Sequence, residues 1–150
     1  MILRYANIVG PRLRHGVTYD LLMKLRKNTS ELEVLGDGTQ VRSYLYIDDA
    51  VEATMLAWKY STGNYEVYNV GNEDWITVND IVGVILNELK LSNVKIMHKP
   101  VLHGVGWPGD VKRIALRIDR LRAIGFKPRH NSIEAVKLTI RSLLNISNLE

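Results

Sequence analysis

Arg42 follows a Gly36-Asp37-Gly38 turn and opens a stretch, RSYLYI, that carries no further charge until Asp48. A guanidinium at the start of a strand presents paired N–H donors, the geometry that grips a phosphate. The same group could equally pair with a neighbouring acid. Asp48 and Asp49 are adjacent carboxylates at the point where a helix should begin. Capping and compensation of the helix dipole explain them better than acid–base work. Tyr44 and Tyr46 alternate with Leu45 and Ile47, the pattern of packing on one strand face.

Gly104, Gly106 and Gly109 spell a literal G-x-G-x-x-G. A dinucleotide-binding turn needs a buried strand before it and a helix after it. The preceding HKPVLH is polar and broken by Pro100, so a glycine-rich loop is the better reading. No phosphate-binding G-x-x-x-x-G-K-[ST] and no G-x-S-x-G elbow is present. The histidines, at 15, 98, 103 and 130, lack a ligand-like set beyond His98 and His103, and cysteine is absent. Metal chemistry is therefore not expected.

The elements that must position these residues alternate between strand and helix, an α/β pattern. ILRYANIV (2–9) reads as a strand covered on both faces, ended by Gly10-Pro11. A helix over 17–27 puts Leu21, Leu22 and Leu25 on one face. Strands are expected at 32–35 and 41–47, then a helix from Asp48 to Tyr60 capped by Asp48. Strand 65–70 precedes a helix over 78–90, capped by Thr77, whose apolar residues form an unbroken 3.6-residue stripe. Strand 94–97, a loop over 98–110 and a short helix from Asp119 follow. Ser132 should cap a last amphipathic helix.

The 150 residues suit one domain, and 46% hydrophobic content is enough for a core. No run of 18 apolar residues occurs, and the start, MILRYANIVGPRLR, lacks a signal-peptide pattern. A cytoplasmic protein without membrane contact is the expectation. The net charge of +4 is unevenly spread. Residues 1–27 hold six Lys/Arg against one acid, residues 28–94 three against eleven, and residues 95–141 eleven against three. Two basic ends can converge on an anionic ligand, or simply form solvated surface.

In order along the chain stand LRYANIVGP, GDGTQVRSYLYIDDAVEA, YNVG, a capped helix, PGD and IGFKP. This succession resembles the extended short-chain dehydrogenase/reductases, in particular the NAD-dependent nucleotide-sugar epimerases and dehydratases of the UDP-glucose 4-epimerase type. The resemblance covers nearly all 150 residues. It implies the C-terminal portion of a Rossmann-type epimerase: a few parallel sheet strands plus a small α/β substrate-binding domain. It implies substrate contacts from Asn7, from Gly16 and Val17 at a helix start facing the diphosphate, and from Glu33, Val34 and Leu35 around the base. Arg42 would hold the diphosphate, and Tyr5 and Ala6 would border the nicotinamide. Relatives often carry an arginine just before PGD; here Trp107 stands there, so either Arg113 or Lys112 would substitute or the grip would be weaker.

The family's catalytic tyrosine is followed four residues later by lysine, and none of the seven tyrosines here is. The resemblance thus implies NAD in the complete enzyme, no NAD site of this chain's own, and no turnover alone. The expected partners are a UDP-sugar, a separate N-terminal NAD-binding half, and further copies of the chain. A stand-alone basic module for nucleotides or nucleic acid is the alternative. Its support is a pI near 9.4, but no aromatic-plus-basic nucleic-acid motif accompanies it.

Overall fold

A computed structural model describes residues 1–146. The chain opens with β1 (Ile2–Tyr5) and β2 (Asn7–Val9), two strands where the sequence predicts one. A loop leads to α1 (Val17–Lys27), which buries Leu21, Leu22 and Leu25 as its periodicity predicts. β3 (Glu31–Leu35) ends at a turn in which Gly36 and Gly38 both take positive φ. β4 (Val41–Arg42) and β5 (Tyr44–Tyr46) replace the single strand expected over 41–47.

α2 (Ile47–Tyr60) buries Ala50, Ala53 and Ala57. Asp48 does not cap it; Tyr46 holds the N-cap position, and Asp48 and Asp49 lie in the first turn. β6 (Val67–Val70) and β7 (Ile76–Thr77) precede α3 (Val78–Leu89). Thr77 and Asp80 form a reciprocal capping box on α3, which satisfies two otherwise orphaned N–H groups. β8 (Lys95–Lys99) leads into an irregular stretch with one 3-10 turn, then α4 (Asp119–Ala123) and α5 (Ser132–Ile146). The cap of α5 is Asn131, one residue before the expected Ser132. Its side chain accepts from the Glu134 N–H at 2.9 Å, while Glu134 accepts from its backbone N–H at 3.0 Å.

Pairing explains why the first strand is divided. β1 lies parallel to β6, with Ile2 opposite Val67 and Tyr5 opposite Val70. β2 lies parallel to β5, with Asn7 opposite Tyr44 and Val9 opposite Tyr46. Ala6 is the last residue to bond to β6, through its N–H to the Val70 carbonyl at 2.7 Å. β3 and β8 form a third parallel pair, and β4 and β7 an antiparallel one.

Two apolar clusters sit on either side of the β2–β5 pair. Val9 and Tyr44 enter a core built from α1, β3, α3 and α5. Leu45 enters the other, with the alanines of α2 and Tyr68, Val70, Leu121 and Phe126; Ile8 packs at its margin. Successive strand residues point to opposite faces, so one short pair serves both cores.

This arrangement corrects the expected fold. The α/β, Rossmann-like pattern runs through nearly the whole described chain. It does not divide into a few sheet strands and a separate small substrate domain. The physical reason is the double use of residues 2–9, which pair with both 67–70 and 44–46 and so tie the two cores together. Strand 2–9 is also not covered on both faces, since Ile2 and Tyr5 are exposed. No helix among the described residues is long and apolar enough to cross a membrane.

Leu45 is fully buried at the centre of the second core. Leu45→Ala should destabilise the chain by about 2–5 kcal/mol, the usual cost of a buried leucine cavity. Val51→Ala, on the exposed side of α2, should change stability by less than about 0.5 kcal/mol. Urea unfolding of both variants checks this; equal losses would mean that Leu45 does not lie in a packed core.

Candidate nucleotide-sugar site

The register of β2 on β5 brings Asn7 beside residues 42–44, and the Asn7 amide donates to the Ser43 carbonyl at 3.0 Å. A cavity of about 350 Å³ opens here, bordered by Asn7, Arg42 and Tyr44 from the strands and by Gly16 and Val17 from the start of α1. Gly16 is the N-cap, at φ 87, and α1 has no side-chain cap. Its first N–H groups are therefore unsatisfied and carry the positive end of the helix dipole. The neighbouring Thr18 hydroxyl is buried and has no hydrogen-bond partner within the protein.

The remaining wall is mostly apolar. Leu21, Val34, Leu35 and Val78 border it, together with Gln40, Trp107 and Asp110. A second cavity of about 200 Å³ shares Asn7 and Arg42 with the first and adds Ala6, Tyr5, Ser43, Ile114 and Leu116. The two together form a slot with an apolar end, a cationic middle and a small further chamber.

Arg42 is held in place by bonds within the protein. One terminal nitrogen donates to its neighbour's Val41 carbonyl at 2.8 Å, the other to Asp110 at 3.0 Å. Both side chains are largely buried. Asp110 also accepts from the Gly106 N–H at 3.1 Å. Burial pushes the Tyr44 phenol up to about 12, so it stays neutral at ordinary pH.

The site residues expected from the sequence are thus partly united. Asn7, Gly16, Val17, Val34, Leu35 and Arg42 meet at the first cavity, and Tyr5 and Ala6 border the second. The Tyr5 hydroxyl reaches α2, 2.7 Å from the Thr54 hydroxyl. Glu33 is not among the residues that border the cavity; its side chain pairs with Lys24 at 3.5 Å. Arg113 lies over the Trp75 ring at 5.2 Å, and Lys112 pairs with Asp37; neither borders the cavity. Asp20, Lys24 and Gln40 border it without having been singled out. The segment holding Gly104, Gly106 and Gly109 is an irregular loop with no helix after it, unlike a dinucleotide turn.

Comparison with known proteins shows a likeness in sequence and fold. The sequence model of the NAD dependent epimerase/dehydratase family matches residues 1–71. A solved UDP-galactose 4-epimerase superposes on 96% of this chain with a TM-score of 0.82 and 42% identity. The UDP-glucose 4-epimerase of Thermotoga maritima, solved with UDP-glucose, superposes on 99% with a TM-score of 0.79 and 30% identity. The chain belongs to the NAD-dependent nucleotide-sugar epimerase/dehydratase superfamily. A further relative, the UDP-N-acetyl-alpha-D-glucosaminuronate decarboxylase of Bacillus cytotoxicus, is 36% identical over 102 residues, 66% of this chain and 31% of its own length. The chain spans about half the length of the proteins it matches, 45% and 46% of the two solved epimerases.

These matches correct two expectations. The superfamily likeness is not that of a C-terminal remnant: the family model lies on residues 1–71, the first half of this chain, and the structural likeness runs almost end to end. A separate polypeptide supplying a missing N-terminal NAD-binding half is accordingly not among its partners, because the family-model region stands within this chain.

The loop that carries Trp107 and Asp110 is clasped to the glycine turn. The Asp37 N–H donates to the Gly104 carbonyl at 2.9 Å, and Lys112 reaches both Asp37 and that carbonyl. The Lys112 ammonium, helped by the Thr39 N–H and hydroxyl, holds the Asp37 carboxyl down from 3.8 to about 2. A depressed carboxyl stabilises the fold above its unfolded value and loses that contribution as pH falls through its folded value. The melting-temperature gap between wild type and Lys112→Met should therefore be full above pH 3.8 and shrink toward about 2. Solvent screening keeps the gap small. Thermal melts across that range test it, and a gap that widens in acid would rule out the clasp.

Proposed function

We propose that this chain binds the diphosphate and base of a nucleotide sugar, a UDP-sugar in the first instance, and so supplies affinity and orientation for epimerase or dehydratase chemistry. The observation that carries the proposal is the pairing, across one cavity, of the uncapped start of α1 with the Arg42 guanidinium. Helix N–H groups and an arginine fork are complementary to a diphosphate. The apolar wall of Leu21, Val34, Leu35 and Val78 suits a planar base. The sugar then falls toward the second cavity, where Asn7, Ser43 and Ala6 stand.

The family's reaction moves hydride between a sugar carbon and NAD, with the cofactor carrying the redox change. The described residues contain no G-x-G-x-x-G turn between a buried strand and a helix, and none of the seven tyrosines is followed at the fourth place by lysine. The proposal therefore assigns this chain's residues no proton-transfer step and no dinucleotide diphosphate contact. Tyr5 and Ala6 border the proposed sugar chamber, from which they would face a nicotinamide. The purified chain should bind a UDP-sugar and show no epimerase or dehydratase turnover.

Arg42→Ala should weaken UDP binding by about 1.5–3 kcal/mol, the worth of a charge-assisted phosphate contact. Lys90→Ala, at the end of α3 and away from the cavity, should leave it unchanged. Because Arg42→Ala strands the buried Asp110 carboxylate, Arg42→Ala with Asp110→Asn separates lost attraction from added repulsion. Calorimetry on the variants decides. Wild-type affinity in the double variant would remove Arg42 from the site, and no UDP binding to wild type would end the proposal.

A further inference from the structure

Gln40 is an unusual wall residue for an apolar cavity. It is 4% exposed, yet it is polar and borders the slot beside Leu35 and Val78. Its Nε2 donates to the Leu35 carbonyl at 3.2 Å. Its Oε1 is buried and accepts no hydrogen bond within the protein. The amide cannot simply be turned round to repair this, because Oε1 would then face the Leu35 carbonyl, acceptor against acceptor. A buried acceptor left unsatisfied is costly, and such groups in folded proteins usually have a functional reason.

The local backbone is arranged to keep the amide there. The Gly36–Gly38 turn folds the chain back so that Gln40 lies across it, and a Cβ at Gly36 would collide with the Gln40 amide. The Gln40 carbonyl accepts from the Val78 N–H at 3.1 Å, which ties the residue to the start of α3. The amide is thus held at the apolar end of the slot, two residues before Arg42.

We propose that Gln40 determines base specificity: its side-chain oxygen accepts a hydrogen bond from a ring N–H of a pyrimidine imide, as uracil and thymine present at N3. This rests on the nucleotide-sugar reading above. With Arg42 and the start of α1 on the diphosphate, the base lies between Leu35 and Val78 and turns its N3–H toward Gln40. The second proton of Nε2 is free to donate to the adjacent ring carbonyl, giving the amide–imide pair. A base whose ring nitrogen carries no proton leaves the acceptor unpaired, and sites built around a buried polar group discriminate strongly against ligands that fail to satisfy it.

The test compares UDP with N3-methyl-UDP on wild type and on Gln40→Met, which keeps the side chain's length and removes both amide atoms. Wild type should prefer UDP by about tenfold or more, the effect of one lost hydrogen bond at a buried acceptor. In Gln40→Met that preference should fall to about twofold. A purely structural Gln40, holding the turn through Leu35, would weaken both ligands alike and leave the preference intact, which overturns the proposal. Equal binding of the two ligands to wild type overturns it as well. Should Gln40→Met fail to fold, NMR of wild type decides: a protected N3–H of bound UDP with a cross-peak to the Gln40 side-chain amide supports the pairing, and an exchanging N3–H without one overturns it. UDP binding that needs Arg42 but ignores N3 methylation defeats this inference alone. Absence of UDP binding to wild type defeats the nucleotide reading and this inference with it.

Discussion

The rest of the structure depends on three residue pairs: Asn7 with Tyr44, Ile8 with Leu45, and Val9 with Tyr46. Parallel pairing of β2 with β5 makes one wall do two jobs. Tyr44 and Val9 pack into one core, Leu45 and Ile8 into or against the other. A slip of one residue would exchange these faces and place each side chain in the wrong core. The same register sets Asn7 beside Ser43 and leaves Arg42 bordering both cavities. Core packing and site geometry are therefore fixed by one constraint.

Buried polar groups lock that wall to the loops around it. The Asn72 amide donates to the Tyr44 carbonyl at 3.0 Å and the His130 carbonyl at 2.7 Å. Asp49, fully buried in the first turn of α2, accepts from the Arg129 side chain at 2.6 Å and from the Arg129 and His130 N–H groups. Ser132 bonds Asp74 and receives the Tyr44 N–H at 3.0 Å. These bonds join segments far apart in sequence to β5 and to the start of α2. Each is buried or partly buried, where an unmet partner costs most, so the set specifies a single arrangement rather than a loosely collapsed one.

Helices were legible in the sequence because their signal is local. The stripe of α3 and the Thr77 cap are read within one segment, and α1 and α3 lie close to where they are predicted. Strands were less legible because their boundaries are set by distant partners. Nothing within ILRYANIV says that its first half meets residues 67–70 and its second half residues 44–46. The paired carboxylates illustrate the same limit: Asp49 is not a cap but the acceptor for a residue eighty positions away. Arg113 looked available in one dimension and is spent on Trp75 in three. The lining of the candidate cavity was legible where a motif fixes a position, as for Asn7, Gly16 and Arg42. It was illegible where burial gives the meaning. Gln40 reads as an ordinary polar residue until its exposure and its one-sided amide are known.

Arg42 also shows why an ion pair and a ligand contact need not be competing explanations. Two of its nitrogens are used, one on the Val41 carbonyl and one on Asp110. A guanidinium carries five N–H donors in a rigid plane, so those bonds fix its orientation without exhausting it. Lysine at this position would have a single mobile ammonium to divide between Asp110 and a phosphate. The largely buried Asp110 carboxylate offsets the charge of an arginine that is itself mostly shielded from water, which limits the cost of keeping a cation there before a ligand binds. On the proposed function, a diphosphate would meet donors already aimed at it, from Arg42 and from the open start of α1, with little side-chain freedom left to lose. On that reading, the pair that looks purely structural would prepare the arginine to bind.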